Sequence, residues 1–332
     1  MLLSKPNSTI SICAYPRLHI CLLDLSGKGY RRNGGVGFSV DAPSLKLKFS
    51  TSQHTDISVL RSFGFTEPEI VKLSSRLQKI TTDLELCTGI SLIDCGEIAR
   101  HTGFGSGTAI TLSCVEALLI ANNHPIDKAT LQQLSGRGGV SGIGINTYFD
   151  GGLVFDAGRV EDGQPFMPSG AIDTNFRLPI SLVSMPMPSW KVGILTSADV
   201  QPLSSQAECQ VFESVCPLSP QDVHEAVYHA TFGVVSSALS HDFSTFCVAI
   251  NTLQQCIWKR SEIAAFGDVI TKTMSKLRDL GCDAVGLTSL GPSLYFLAKD
   301  FDQVCSRIRI AFPDARLIQT QPRNHGREIT VV

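Results

Sequence analysis

The sequence lacks a regular cysteine pattern, an excess of charge and any low-complexity tract, and each absence excludes a class of protein. Its 11 cysteines are odd in number and include no CxxC pair, which argues against a disulfide scaffold and a zinc site. We interpret them as reduced, mostly buried thiols of a cytoplasmic protein. The net charge of −2 provides no electrostatic footprint for nucleic acid or for an anionic membrane.

Long apolar runs and targeting segments are also missing. The apolar run at residues 10–25 is interrupted by Pro16, Arg17 and His19, so it predicts a strand and not a signal sequence or a membrane span. A length of 332 residues suggests two domains. We expect the boundary in a Pro- and Met-rich crossing, with a phosphate-binding domain at 1–175 and an α+β domain at 176–332.

Hydrophobic periodicity predicts a mixed α and β chain. After the first strand we expect a loop through Arg31, Arg32 and Asn33, followed by further strands. Apolar spacing predicts a helix over 67–86, and a segment that is apolar nearly all round predicts a buried helix over 109–123. Asp127 is placed to cap a helix that ends at Gly136. The second half alternates helices with strands and closes with two strands.

Three glycine-rich segments are present: HTGFGSGT at 101–108, GRGGVSGIG at 136–144 and GLTSLGPSLY at 286–295. Glycine permits positive φ and lets backbone N–H groups approach an anion closely. The first segment lies between a strand and the buried helix, so amides and a positive helix end meet there and favour phosphate. It matches neither the P-loop nor the dinucleotide fingerprint. Any one of these loops alone equally indicates a tight turn.

The order of these motifs resembles the GHMP kinase superfamily. Within it, they look most like the β-ribofuranosylaminobenzene 5′-phosphate synthase family and its C-nucleoside-forming relatives. The resemblance extends from residue 17 to about 296 and rests on RLHICLLDL with NGGVG, on the three glycine segments, and on the F-x-GG-x-x-x-D-x-G continuation ending at Gly158. It implies an α+β, two-domain GHMP-kinase-like fold, with an N-terminal βαβ-type domain and a C-terminal ferredoxin-like domain.

The resemblance also implies a reaction. The family joins phosphoribosyl pyrophosphate (PRPP) to an aromatic or heteroaromatic carboxylic acid, forms a C–C bond at the anomeric carbon, and releases pyrophosphate and CO2. Mg²⁺ and a homodimer are expected with it. PRPP needs two anion sites, which the loops at 103–108 and 136–144 supply. No strong base is required, because loss of CO2 restores aromaticity. An ATP-dependent GHMP small-molecule kinase and a non-catalytic binding protein stay open as alternatives, as does the choice between methanopterin and C-nucleoside biosynthesis.

The resemblance assigns roles to particular residues. The catalytic candidates are Arg17, His19, Asp24 and Asp156, of which Asp24 and Asp156 are also the candidate Mg²⁺ ligands. The candidate substrate- and phosphate-binding residues are Asn33, His101, Gly103, Gly105, Ser106, Gly107, Thr108, Arg137, Gly138, Gly139, Ser141, Gly142, Thr288 and Ser289.

Structural interpretations compete with several of these roles. Arg17 and His19 alternate with apolar neighbours and equally fit the polar face of an edge strand. Asp24 and Asn33 equally fit turns, and Asp156 either holds Mg²⁺ or pairs with an arginine. Thr288 and Ser289 contact either the aromatic acid or the 5′-phosphate. Glu208 and Lys259 are weaker candidates, because lone charges at helix ends are usually solvated.

Overall fold

A computed structural model describes residues 8–96, 102–172 and 177–332. In the described chain, the first strand run divides at Tyr15 and Pro16. Its first part enters one antiparallel sheet, with the order β13–β1–β4–β5. The bounds are Thr9–Ala14 for β1, Leu45–Ser52 for β4, Gly89–Asp94 for β5 and Glu328–Val331 for β13.

The second part of the run begins a second antiparallel sheet, with the order β2–β3–β6–β8 and a short strand β7 on β3. The predicted loop through Arg31, Arg32 and Asn33 is wrong, since β3 begins at Arg31. Pairing with β2 on one side and β6 on the other overrides the poor strand propensity of Asn-Gly-Gly. The bounds are Arg17–Asp24 for β2, Arg31–Ser39 for β3, Leu153–Asp156 for β6, Arg159–Val160 for β7 and Ser181–Met185 for β8.

The helices of the first half follow the predicted pattern, with one addition. Asp127 accepts a hydrogen bond from the Thr130 N–H and caps α3, and Gly136 ends that helix with positive φ, as predicted. An unpredicted helix, α4, begins inside the second glycine segment. The bounds are Glu67–Asp83 for α1, Ser106–Ala121 for α2, Lys128–Ser135 for α3 and Ile143–Asp150 for α4, with a 3-10 turn at Ser58–Phe63.

The second half contains an antiparallel sheet of order β10–β11–β9–β12. Its strands are Val192–Thr196 for β9, Ala284–Leu287 for β10, Ser293–Leu297 for β11 and Arg316–Thr320 for β12. Its helices are Ser205–Val215 for α5, Pro220–Tyr228 for α6, Ser236–Leu239 for α7, Phe243–Leu253 for α8, Ile257–Ala264 for α9, Asp268–Asp279 for α10 and Phe301–Ala311 for α11. A π-helical segment joins α6 to α7.

One hydrophobic core connects the two halves. Strands β2 and β3 pack against helices from the second half, and the ring centroids of Phe38 and Phe246 lie 6.5 Å apart. Two strands that follow residue 175 pair with strands of the first half, β8 with β6 and β13 with β1. The packing therefore brings the third glycine segment, after β10, against the loop before α2. Within the described ranges, no helix combines the length and hydropathy needed to cross a membrane.

Candidate active site

The predicted loops meet at one cavity of about 430 Å³. It lies where the segment before α2, the segment before α4, the start of β2 and the turn after β10 come together. The structure therefore brings most of the sequence-predicted residues to one place. The predicted residues that line this cavity are Arg17, His19, Gly103, Gly105, Ser106, Gly107, Thr108, Arg137, Gly138, Ser141 and Ser289.

The N-terminus of α2 and the loop before it line part of the cavity. Gly105 precedes the helix with φ of +77°, and a side chain there would lie 3.3 Å from the Arg17 guanidinium. Gly103 has φ of +88°, and a side chain there would overlap the carbonyl oxygen of Thr288. Only glycine satisfies both conditions. The first two amides of α2, of Ser106 and Gly107, have no intrahelical acceptor, whereas the Thr108 N–H donates to the Gly105 carbonyl at 3.0 Å. These two amides and the helix dipole favour an anion in the cavity.

Thr288 joins three parts of the site and does not itself line the cavity. Its fully buried hydroxyl accepts a hydrogen bond from the His19 N–H at 3.0 Å and donates to the Gly103 carbonyl at 3.0 Å. The next residue, Ser289, has positive φ, donates its N–H to the His19 carbonyl at 3.3 Å and lines the cavity. The third glycine segment thus holds β2 and the loop before α2 in register.

Two arginines line the cavity without a carboxylate partner among the described residues. Arg17 donates from its guanidinium to the Gly103 carbonyl, and Arg137 donates to Thr108 Oγ1 at 3.0 and 3.2 Å. Burial, and then the charge of Arg137, lower the pKa of Arg17 to about 10, while burial also lowers the pKa of Arg137. Desolvated cations normally have counter-ions. This pair is therefore organised to receive an anion.

His19 adds a neutral hydrogen-bonding group. Its Nε2 lies 3.2 Å from Ser141 Oγ, and that hydroxyl accepts from the Ile143 N–H at the start of α4. Burial, followed by the positive charges of Arg17 and Lys259, lowers the pKa of His19 well below its usual value. The imidazole is therefore uncharged at neutral pH, and the positive charge on this side of the cavity comes from the arginines.

Asp156 and Asn33 hold the second glycine segment in place through hydrogen bonds to its backbone. Both carboxylate oxygens of Asp156 accept backbone hydrogen bonds, one from Gly142 and one from Gly158 at 2.7 Å. The side chain is fully buried, and this burial raises its pKa to about 6. Asn33 donates to the Gly139 carbonyl at 3.0 Å. These contacts fix the path of the loop that carries Arg137.

The aspartates predicted as Mg²⁺ ligands lie outside the arginine-lined cavity. Asp24, Asn33 and Asp156 line a separate cavity of about 710 Å³. One oxygen of Asp24 accepts from the N–H and O–H of Ser26, and both oxygens of Asp156 are taken by backbone amides. Among the described residues no group of three or more His, Cys, Asp or Glu is arranged to hold a metal. The role of the two aspartates as Mg²⁺ ligands therefore stays a prediction. His101 lies outside the described residues.

A second wall of the cavity comes from α5 and α9, and sequence reasoning largely missed it. It contains Glu208, Phe212, Trp258 and Glu262, and the ring centroids of Phe212 and Trp258 lie 4.6 Å apart. Lys259 was expected to be solvated but is fully buried, where it donates to the Leu287 carbonyl at 2.7 Å and pairs with Glu262 at 2.5 Å. The signal in the sequence was a lysine and a glutamate three residues apart beside a tryptophan.

We call these two surfaces the arginine wall and the carboxylate wall. The arginine wall comprises Arg17, Arg137, the loop before α2 and the loop before α4. The carboxylate wall comprises Glu208, Phe212, Trp258 and Glu262. Burial, and then the neighbouring Glu262, raise the pKa of Glu208 to about 7. The cavity therefore offers anion recognition on one side and an apolar, proton-accepting surface on the other.

The fold is the two-domain α+β fold of the GHMP kinases. A homoserine kinase from Cytophaga hutchinsonii superimposes with a TM-score of 0.68 at 15% identity, over 99% of each chain. No model of a known protein family matches the chain.

Curated relatives agree with the resemblance drawn from the motifs. The chain is 27% identical over 323 residues to a β-ribofuranosylphenol 5′-phosphate synthase from Archaeoglobus fulgidus, which covers 95% of this chain and 97% of the relative. It is also 27% identical over 321 residues to the enzyme of that name from Methanothermobacter thermautotrophicus, covering 93% and 95%. The predicted resemblance and the predicted fold are both confirmed.

Proposed function

We propose that this protein is a pentosyltransferase that joins the anomeric carbon of PRPP to an aromatic carboxylic acid and releases CO2 and pyrophosphate. The near full-length similarity to two β-ribofuranosylphenol 5′-phosphate synthases supports this reaction. The observation that carries it is the pair Arg17 and Arg137, which face one cavity and make no ion-pair contact among the described residues.

The arginine wall suits the pyrophosphate of PRPP. As the C–O bond to pyrophosphate breaks, negative charge grows on the leaving group and positive charge on the sugar. The guanidiniums, the first amides of α2 and the Ser106 and Thr108 hydroxyls are already oriented around the cavity. Each such preorganised donor supplies roughly 3–4 kcal/mol in the transition state. His19, being neutral, can hydrogen-bond to a phosphate or ribose oxygen without repelling the cationic sugar.

Magnesium enters this proposal with the substrate. A pyrophosphate group binds Mg²⁺ through its own oxygens, so the ion arrives as the counter-ion of PRPP. Asp24 and Asp156 are engaged in turns and backbone contacts away from the arginine wall. A bound Mg²⁺ would supply charge neutralisation of the departing pyrophosphate, while Arg17 and Arg137 would orient it.

The acceptor we propose is a ring with a hydroxyl or amino group para to its carboxylate. The name of the relatives, β-ribofuranosylphenol 5′-phosphate synthase, favours 4-hydroxybenzoate. 4-Aminobenzoate and heteroaromatic carboxylates are the other acceptors to test, and they distinguish a methanopterin-type from a C-nucleoside pathway. The apolar residues of the cavity, including Leu22, Val140, Phe212 and Leu290, fit a flat ring.

The proposal also covers the oligomeric state of the protein and its location in the cell. We propose a homodimer, supported by exposed apolar side chains such as Tyr228, Phe232 and Leu239, and light scattering at micromolar concentration tests it. A cytoplasmic location fits the 11 cysteines, which are all free thiols.

The decisive experiment incubates the protein with PRPP, Mg²⁺ and each acceptor, and measures pyrophosphate and CO2 together. We expect the two products in equal amounts with at least one acceptor, and thermal stabilisation by PRPP alone. Failure to bind or consume PRPP with any aromatic carboxylate would reject the proposal. Transfer of phosphate from ATP to a small molecule, without PRPP binding, would favour a GHMP kinase instead.

A further inference from the structure

The carboxylate wall contains a group that the proposed function has not used. Glu208 lies in the first turn of α5 and lines the cavity, and its side-chain carboxylate has no hydrogen-bond or ion-pair partner among the described residues. Its neighbour Glu262 differs, because Lys259 neutralises it at 2.5 Å. Of these two carboxylates, Glu208 is therefore the one left for a ligand.

The residues around Glu208 indicate which kind of ligand would bind to it. Phe212 and Trp258 stand beside it, and the Trp258 indole N–H is buried without an acceptor in the described structure although the side chain is only 1% exposed. A flat ring in this apolar part of the cavity would place its polar substituent, as a proton donor, at the free carboxylate. An unpartnered carboxylate in such surroundings is costly unless it gains a proton or a donor.

Resting on the proposed function, we propose that Glu208 accepts the proton of the acceptor's hydroxyl group, para to the carboxylate. The geometric basis is a free carboxylate on the same cavity as Arg17 and Arg137, set among aromatic side chains. This assigns the acceptor ring to the carboxylate wall and PRPP to the arginine wall. With a phenolic acceptor, it also makes ionisation of the para hydroxyl group part of catalysis.

The proposed reaction begins at the hydroxyl group of the acceptor. Ionised Glu208 takes the hydroxyl proton, and the oxygen electrons move through the ring to the carbon that bears the carboxylate. That carbon bonds to the anomeric carbon while the C–O bond to pyrophosphate breaks and its electron pair leaves with pyrophosphate. The C–CO2 bond then breaks, its electrons restore the aromatic ring, and the phenolic oxygen takes its proton back from Glu208. No oxidant, reductant or further reactant is needed.

The groups around Glu208 allow its titration to be recognised. The titratable side chains that share the cavity are Arg17, His19, Glu69, Arg137, Cys209 and Glu262. The arginines stay charged and His19 stays neutral across neutral pH. Because burial raises the pKa of Glu208 to about 7, the rate with 4-hydroxybenzoate should increase with pH through that region. General bases are most effective when their pKa lies near the working pH.

The test compares Glu208→Gln with Glu213→Gln, an exposed residue of the same helix. With 4-hydroxybenzoate, Glu208→Gln should lower kcat about 10²-fold or more and remove the low-pH limb of the rate profile. PRPP should stabilise both variants and the wild type equally. With 3,5-difluoro-4-hydroxybenzoate at mildly alkaline pH, where most of its hydroxyl groups are already ionised, Glu208→Gln should recover most of the wild-type rate.

Other results would overturn either the role of Glu208 or the proposed function. Wild-type kcat and pH profile in Glu208→Gln would overturn the role of Glu208. So would an equal loss with both acceptors, since a lost contact is not rescued by prior ionisation. A wild-type protein that consumes no PRPP would instead overturn the proposed function itself, and this assignment with it.

Discussion

The two walls of the cavity are built by different means. The arginine wall consists of glycine loops in positive φ that precede α2 and α4, and its charge comes from guanidiniums held on backbone carbonyls and hydroxyls. The carboxylate wall consists of side chains on the regular helices α5 and α9, and its character comes from a free glutamate on the same surface as two packed aromatic rings. The first wall requires a particular backbone, whereas the second requires only particular side chains.

This difference predicts how each wall responds to substitution. Changes in the arginine wall should act on PRPP, through charge or through the loop path. Changes in the carboxylate wall should act on the acceptor and on the pH dependence. Steady-state kinetics in which the concentrations of PRPP and acceptor are varied separately therefore test this difference between the two walls.

The largest effect is expected for Arg137→Ala. Loss of this cation should lower kcat/KM for PRPP about 10²–10³-fold, because it removes a preorganised donor to the leaving group. The free energy of unfolding should change by less than about 1 kcal/mol, since Arg137 has no ion-pair partner among the described residues to leave behind. Steady-state kinetics and urea unfolding measure the two quantities, with the exposed Arg61→Ala as control. Lost stability with normal turnover would remove this loop from the site.

Thr288→Val tests whether the third glycine segment acts by holding the other two. The substitution keeps the shape but removes a hydroxyl that accepts from the His19 N–H and donates to the Gly103 carbonyl. Leaving these buried groups unpaired should cost about 1–3 kcal/mol in unfolding free energy and raise KM for PRPP. Thr288→Ser, which keeps the hydroxyl, should restore most of both. A Val variant with unchanged stability and lower affinity for the acceptor alone would point to direct acceptor contact.

Asp156→Asn separates a loop anchor from a metal ligand. The amide can accept only one of the two backbone hydrogen bonds from Gly142 and Gly158, so we expect a loss of about 1–3 kcal/mol in unfolding free energy. Mg²⁺ without PRPP should leave the melting temperature of the wild type unchanged. Stabilisation of the wild type by Mg²⁺ alone, absent in the variant, would favour the metal role.

The difference between the two walls also explains which of them could be predicted from the sequence. The arginine wall was predictable because its signals are local, with HTGFGSGT placed directly before the apolar helix α2 and Asp127 capping α3. The start of β3 and helix α4 were missed, since glycine-rich sequence predicts loops. Residues 33–35 form a strand only because Asn33 pairs with β2 and Gly35 pairs with both β2 and β6.

The carboxylate wall could not be predicted in the same way. Glu208 and Lys259 are single charges on short helices, and such residues are usually solvated. Their environment depends on how the second half packs against β2, which no local pattern records. The aspartates show the converse: Asp156 follows the family pattern closely, yet its carboxylate faces the backbone of the loop it supports.

The smallest expected effect is the decrease in the free energy of unfolding that ionised Glu208 causes at high pH. Because its pKa is raised from 4.5 to about 7 in the folded protein, folding favours the protonated form, and the associated stability is lost as pH rises through this range. Glu208→Gln removes the charge, so it should stabilise the fold on the order of 1 kcal/mol at about pH 8 and give no gain below about pH 4. Urea unfolding at both pH values, with Glu213→Gln for comparison, measures this. A variant less stable than wild type at the higher pH would mean that Glu208 has a structural partner, and that the carboxylate wall is not free to receive a proton from the acceptor.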